Sequence, residues 1–188
     1  MLDLILSYFT RSTFITIFVL SWLSIYFIVT FTILISRYAG LSAWQVKETK
    51  ALESLLMGGK IALSGSIFQK ITPERTTKEA LNVYKSKAER DATSGLTWLS
   101  IIASTSPFIG LFGTVVSILD TFSKLGGGNS GIDTIAPAIS EALVATGCGI
   151  FVAIPAYTFA LLIKRKAYEV TSIINRTSDI LLHKAGAK

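Results

Sequence analysis

Three stretches of the chain are apolar and almost free of charge, and the charged residues cluster between them. Residues 12–36 contain no charged side chain, residues 92–122 contain one and residues 125–163 contain two. A helix needs about 20 apolar residues to cross the hydrocarbon core of a bilayer. A buried helix of a soluble bundle would keep a charged outer face, which these stretches lack. The pattern predicts an all-α membrane protein with transmembrane helices at residues 14–35, 94–122 and 132–163.

The second and third predicted helices are very long. At about 1.5 Å per residue each exceeds about 40 Å, so we expect them to tilt or to continue into water. The first apolar run is longer than the core of a cleaved signal peptide, and no Ala-x-Ala site follows it. It is therefore predicted to remain as an uncleaved anchor.

The basic residues determine the predicted orientation. Of the 18 Lys and Arg residues, ten lie in residues 37–91 and six follow residue 163, whereas Arg11 and Lys124 lie on the other side. Cytoplasmic segments of membrane proteins are enriched in Lys and Arg. The sequence therefore predicts a short outer N-terminus at 1–13, a helical cytoplasmic insert at 36–93, an outer hairpin at 123–131 and a basic cytoplasmic tail at 164–188.

Composition narrows the possible functions. The chain is 51% hydrophobic and 16% charged, with one Cys and one His. That leaves no material for an internal disulfide, a Cys-only zinc site, a Ser-His-Asp arrangement or an H-E-x-x-H zinc site. The net charge of +6 is explained by topology and by contact with anionic lipid headgroups rather than by nucleic-acid binding. We expect a protein that is not an enzyme and has no metal or cofactor.

Small and hydroxylated residues form a narrow stripe along each of the two long predicted helices. Their spacing of three and four residues places each stripe on one helix face. Such a face either lets helix backbones pack tightly or lines a narrow polar channel and grips a partner helix, and the pattern leaves both possibilities open. The stripes consist of Ser100, Ser104, Pro107, Gly110, Thr114, Ser117 and Thr121 in the second span and Ala142, Thr146, Gly149, Ala153, Ala156 and Ala160 in the third.

One acidic residue, Glu141, lies about two turns inside the third predicted span. An acid at membrane depth costs about 2.5–3.5 kcal/mol on insertion scales and indicates a functional site. The alternative is an interfacial Glu bonded to water or to a hydroxyl. Glu141 is five residues from Thr146, about 140° around the helix, so the two side chains face different ways. Pro107 and Pro155 interrupt the long helices and favour kinks.

Two segments resemble the conserved motifs of a known family. Residues 106–122 (SPFIGLFGTVVSILDTF) resemble the second-span motif, and residues 136–156 (APAISEALVATGCGIFVAIPA) the third-span motif, of the MotA/TolQ/ExbB proton-channel family. The layout of three spans with a cytoplasmic insert is also similar. The first span and the insert match in layout only.

This resemblance implies a subunit of an energy-coupling complex in the bacterial inner membrane. It implies a homo-oligomeric ring, a pentamer, that surrounds the membrane helices of a TolR/ExbD-type single-span partner. That partner's membrane Asp carries the proton, and a TolA/TonB-type protein spans the periplasm. The motif threonines map onto Thr114 and Thr146 and the motif acid onto Glu141. Ser104 and Ser117 share the Thr114 stripe and complete the predicted pore lining, while Glu141 is assigned to gating or to an intersubunit contact.

Other functions compete with this interpretation. A non-energised scaffold would use the stripes only to pack helices, and a three-span membrane enzyme would need a nucleophile and base that the sequence lacks. Within the family, TolQ serves outer-membrane constriction and integrity, while ExbB drives TonB-dependent uptake. The short N-terminal segment and the short tail favour the TolQ branch.

Overall fold

The computed structural model of the protein describes residues 14–57, 65–69, 71, 76–125 and 132–186, and most of these residues are helical. It contains four α-helices and, within these residues, no strand. This confirms the predicted all-α class. The predicted N-terminal segment at 1–13 and most of the 123–131 hairpin lie outside the described residues. The helices are α1 (Phe14–Leu56), α2 (Lys78–Thr93), α3 (Leu96–Leu125) and α4 (Ile132–Gly186).

Three helical stretches are long and apolar enough to cross a membrane: Phe14–Leu56, Lys78–Ser123 and Ile135–Ala185. In the first of these, only 17% of the most apolar window is buried within the chain. Large aromatic and aliphatic side chains therefore cover the outer surface, which in water would forfeit about 25 cal/mol for each Å² of apolar area left exposed. Lipid or neighbouring protein removes that penalty.

Two helices continue further than their apolar stretches. α4 runs on to Gly186 from the third predicted span, and α1 runs on without a break to Leu56. The second span does not continue into the insert, because α2 ends at Thr93 and α3 begins at Leu96. Between residues 36 and 56 only Gly40 disfavours helix, and no proline interrupts the segment. Pro107 and Pro155 lie inside α3 and α4, and helix continues on both sides of each. The bends predicted at these prolines stay predictions.

The chain forms two compact units. Unit 1 comprises Met1–Thr32 and Trp98–Phe159, and unit 2 comprises Ile33–Thr97 and Ala160–Lys188. In unit 1, α1 and α4 run in the same direction, because Phe27 stacks on Phe151 at 5.7 Å and Phe31 meets Phe159 at 5.2 Å between ring centroids. The core of unit 1 is built by Val19, Leu23, Ile102, Ala145, Val152 and Ala156.

Unit 2 is held together by a buried carboxylate. The Glu48 side chain is fully buried and accepts hydrogen bonds from Trp44 Nε1 at 2.9 Å, Ser66 Oγ at 2.7 Å and the Ile67 backbone N–H at 2.8 Å. These bonds fasten the turn at residues 65–69 to α1. Phe68, which lies in the same turn, is fully buried.

A polar network links α1 to α4 within the same unit. Lys166 Nζ donates to Gln45 Oε1 at 3.0 Å and to Glu169 Oε2 at 3.2 Å, and Gln45 Nε2 donates to Glu169 at 3.3 Å. The hydrogen bond from Lys166 holds the pKa of the Glu169 carboxyl below its ordinary value. Further along α4, Lys184 Nζ donates to the Leu55 carbonyl at 2.7 Å.

Both ends of α2 are capped. Thr77 accepts a hydrogen bond from the Ala80 N–H at the N-terminus, as an N-cap threonine should. At the C-terminus, the Arg37 guanidinium donates to the carbonyls of Asp91 and Ala92, which have no partner within the helix. Gly95 follows with a φ of 85°, a conformation that glycine adopts at no steric cost. This turn lets the chain leave α2 and begin α3.

Candidate functional site

The site is built on the crossing of α3 and α4 in unit 1, where two glycines bring the backbones together. A β-carbon added to Gly110 would lie 2.7 Å from the Ala145 carbonyl oxygen, and one added to Gly149 would lie 2.6 Å from that of Ser106. No real side chain fits at such distances. At this crossing the small-residue stripes therefore pack two helices of the same chain against each other.

The two predicted threonines meet one turn further along α3. Thr114 Oγ1 and Thr146 Oγ1 are hydrogen-bonded to each other, and Thr114 Oγ1 also lies 3.1 Å from the Ala142 carbonyl oxygen and 3.3 Å from that of Gly110. Both side chains are half-buried. The close Gly110–Gly149 contact makes this pairing possible, because short hydroxyl side chains bridge helices only when the backbones are near.

The hydrogen bond between these two threonines can reverse its direction. A hydroxyl donates one proton and accepts through two lone pairs, while the surrounding carbonyls only accept. Thr114 can therefore point its proton at Thr146 or at a carbonyl, and Thr146 can donate to Thr114 when Thr114 points away. The pair thus supplies hydrogen-bond donors and acceptors within an apolar span without adding a fixed charge.

The predicted stripe on α3 divides into a covered part and an open part. Ser104 is exposed and donates to the Ile101 carbonyl of its own helix at 3.1 Å. Ser117 is buried, with 4% of its surface exposed. Thus Gly110, Thr114 and Ser117 face the interior of the subunit, while Ser104 lies on an open face.

Glu141 lies on nearly the same face of α4 as Ala145. The two residues are four apart, which is about 40° of rotation, and Ala145 is buried in the core of unit 1. The Glu141 side chain is half-buried and engaged in a polar interaction. It therefore does not share a direction with Thr146, as the sequence predicted.

Two buried hydroxyl residues of unit 1 were not predicted. Ser106 is fully buried and donates to the Ile102 carbonyl at 2.6 Å, and its own carbonyl is the atom nearest to Gly149. Thr16 on α1 is also buried. The sequence carried no signal for either one, since serine and threonine in apolar helices commonly bond to their own backbone.

No metal centre is visible in the residues that the structure covers, where His, Cys, Asp and Glu form no group of three. Cys148 is a free, half-buried thiol that packs against the core of unit 1.

Comparison with known proteins identifies the class to which this fold and site belong. The model of the MotA/TolQ/ExbB proton channel family matches residues 48–176, more than half of the chain. The chain belongs to this family, which confirms the resemblance seen in the two span motifs. The match includes the whole α3–α4 crossing with both threonines and Glu141.

Individual relatives divide between end-to-end and partial matches. The ExbB-like protein 1 of Helicobacter pylori is 41% identical over 188 residues, which is 98% of this chain and all of the relative. The Tol-Pal system protein TolQ of Pseudomonas aeruginosa is 44% identical over 78 residues, 41% of this chain and 34% of that protein. A biopolymer transport protein ExbB of Xanthomonas campestris is 35% identical over 94 residues, 50% of this chain and 37% of that protein.

Proposed function

We propose that this chain is the ring-forming channel subunit of a TolQ–TolR or ExbB–ExbD type motor driven by the proton motive force. The observation that carries the proposal is the hydrogen-bonded pair of Thr114 and Thr146 inside a membrane-spanning unit. Because the chain belongs to a proton channel family, we take the transported ion to be the proton. The pair would line the proton path, together with Ser104 and Ser117.

The proposed assembly is a pentameric ring around the membrane helices of a TolR/ExbD-type partner. Support comes from large apolar side chains beside the threonine pair that the subunit itself leaves uncovered. Leu111, Val115 and Ile150 are each about half exposed. In the ring these side chains would exclude bulk water around the threonines and contact the partner.

The mechanism follows from the properties of hydroxyls and carboxyls. A threonine hydroxyl can donate to an ionised Asp of the partner or accept from a protonated one. Protonation neutralises that Asp and changes its affinity for the ring. A proton crossing the membrane delivers about 2.3 kcal/mol per 100 mV. The partner would step relative to the ring and pass this work to a TolA/TonB-type protein in the periplasm.

The proposed location is the bacterial inner membrane, with the N-terminus in the periplasm and the C-terminus in the cytoplasm. The excess of Lys and Arg in residues 37–91 and after residue 163 supports this orientation. The end-to-end match to an ExbB-like protein favours a role in biopolymer transport. The TolQ role in outer-membrane integrity rests on a shorter match.

A scaffold that uses no proton energy is the second candidate. The Gly110–Gly149 contact favours it, because it shows that the small-residue stripes pack helices within one subunit. The two candidates differ in one requirement, since only the channel needs the hydroxyls of Thr114 and Thr146.

Proton uptake into liposomes separates these candidates. The complex is purified from native membranes through a tag on this chain and reconstituted as wild type, Thr114→Val and Thr146→Val. Thr158→Val is the control, because Thr158 is exposed on α4, the helix of Thr146, and donates to the Ile154 carbonyl of its own helix. The channel predicts loss of flux in the first two variants, an intact ring and wild-type flux in the control. Wild-type flux in both variants, or no flux in the wild-type complex, would favour the scaffold.

A further inference from the structure

All three helices of unit 1 meet at Gly113. A β-carbon on Gly113 would lie 3.1 Å from Val19 Cγ1 on α1 and 3.2 Å from Ala145 Cβ on α4. Val19 and Ala145 are both buried in the core of this unit. The contact fixes one level at which the three helices touch.

The residues one turn beyond that level are polar on every helix. Thr16 precedes Val19 by three residues, Ser117 follows Gly113 by four and Glu141 precedes Ala145 by four. α3 runs opposite to α1 and α4, so all three steps go the same way along the bundle, by about 4.5–6 Å. The rotations are about 40–60°, which keeps each residue on the inward face. Helix geometry thus places Thr16, Ser117 and Glu141 at one level of the bundle, on the inward faces of the three helices.

Two of the three residues at this level are buried, and Glu141 is half-buried. Thr16 is 1% exposed and Ser117 is 4% exposed. Thr16 Oγ1 is buried and has no hydrogen-bond partner among the residues that the structure describes. A buried hydroxyl left unpaired is unfavourable, and the large majority of such groups in proteins bond to protein or to ordered water.

We propose that an internal water molecule occupies this level, bonded to Thr16 and Ser117, and that it positions the Glu141 carboxyl. A buried water typically makes two to four hydrogen bonds, and these three side chains can provide them. The site adjoins the threonine pair through one backbone group, because Thr114 Oγ1 lies 3.1 Å from the carbonyl of Ala142, the residue after Glu141. The expected effect of this water site on proton flux rests on the proposed channel function.

α1 is then part of the proton path rather than only an anchor. Thr16 is a positioning residue that acts on Glu141 through water. The other titratable side chains that the structure describes in unit 1 are Tyr26, Asp120, Cys148 and Tyr157. Asp120, the other acid of this unit whose side chain the structure describes, lies three residues after Ser117 on α3, so its carboxyl band must be separated from that of Glu141.

Infrared difference spectroscopy of the reconstituted complex between two pH values tests the water site. The Glu141 carboxyl band is assigned by its loss in Glu141→Gln, and the Asp120 band by Asp120→Asn. We expect Thr16→Val and Ser117→Ala to shift the Glu141 band and to remove an O–H band that moves in oxygen-18 water. Thr16→Ser should keep both bands. Thr32→Val is the control on α1, because Thr32 is exposed and bonded to the Ile28 carbonyl.

Proton flux measured on the same samples separates this inference from the channel proposal. We expect a several-fold loss in Thr16→Val and recovery in Thr16→Ser. Unchanged bands in both Thr16→Val and Ser117→Ala overturn the water site, even if Thr114→Val blocks flux. A Glu141 band that shifts without any oxygen-18-sensitive O–H band also overturns it. If the bands respond as expected while the wild-type complex conducts no protons, the water site stands and the channel function fails.

Discussion

Gly149 of α4 lies so close to Ser106 of α3 that a β-carbon on Gly149 would sit 2.6 Å from the Ser106 carbonyl oxygen. The neighbouring Gly147 has no atom within 4 Å of the corresponding position. Two glycines in one turn of helix therefore have opposite tolerance for a methyl group, and the difference tests the helix crossing on which the threonine pair depends.

Gly149→Ala is expected to destabilise the protein. Overpacking at a close contact typically costs about 1–3 kcal/mol, and separation of the backbones would also break the Thr114–Thr146 contact. Gly147→Ala should be neutral or stabilising by about 0.5–1 kcal/mol, because alanine favours helix. Thermal unfolding in detergent measures both. Equal melting temperatures for the two variants would contradict the close crossing.

The Glu48 carboxylate is expected to hold the turn at residues 65–69. Glu48→Ala removes the acceptor for Ser66 Oγ and the Ile67 N–H, and hydrogen bonds to a charged group contribute about 1.5–3 kcal/mol each. We expect faster hydrogen exchange at Ile67 and faster proteolysis of the turn. Glu53→Ala, at an exposed position on the same helix, should change neither. If Glu48→Ala exchanges like wild type, the buried carboxylate does not hold this turn.

The Lys166–Glu169 interaction predicts a pH-dependent contribution to stability. In the folded state the pKa of the Glu169 carboxyl lies below its ordinary value of 4.5, and the largest cause is the hydrogen bond from Lys166. A lowered carboxyl pKa stabilises the folded state above the unfolded pKa, and this stabilisation is lost as the pH falls through the folded pKa.

Melting curves of wild type and Lys166→Met between pH 7 and pH 3 test this sign. The wild type should melt higher at neutral pH by a small margin, because exposed ion pairs contribute little, and the margin should shrink as the solution becomes acidic. If the difference in melting temperature between wild type and Lys166→Met grew on acidification, the predicted sign would be wrong. Lys164→Met, an exposed neighbour with no hydrogen bond to Glu169 recorded in this part of the chain, is the matched control.

Patterns along the sequence predicted the class of fold and placed Thr114 and Thr146 on the small-residue stripes, because both depend on local periodicity. The resemblance to the family then singled out these two threonines among the stripe residues. A charge-free run of 20 or more residues has few alternatives to a membrane helix, and a spacing of three and four residues defines a helix face whatever packs on it. The same reasoning predicted that Glu141 and Thr146 face different directions.

Residues whose role depends on contacts distant in sequence were not predicted. The sequence shows Glu48 as one acid among many in a charged segment, and only the fold brings Ser66 and Ile67 to it. Thr16 looks like any threonine in an apolar helix until the Val19–Gly113–Ala145 contact shows which way it faces. The stripes also could not reveal that Gly110 and Gly149 meet within one subunit.

The central claim is that Thr114 and Thr146 act together as one proton relay, and a double-mutant cycle of proton flux tests it most directly. Potential-driven proton uptake is measured for the reconstituted wild type, Thr114→Val, Thr146→Val and the double variant, with ring assembly checked in each. Because the two hydroxyls contact each other, neighbouring substitutions should be non-additive. We predict that the double variant conducts about as poorly as either single variant. Wild-type flux in both single variants, or losses that multiply as if the hydroxyls were independent, would contradict the relay.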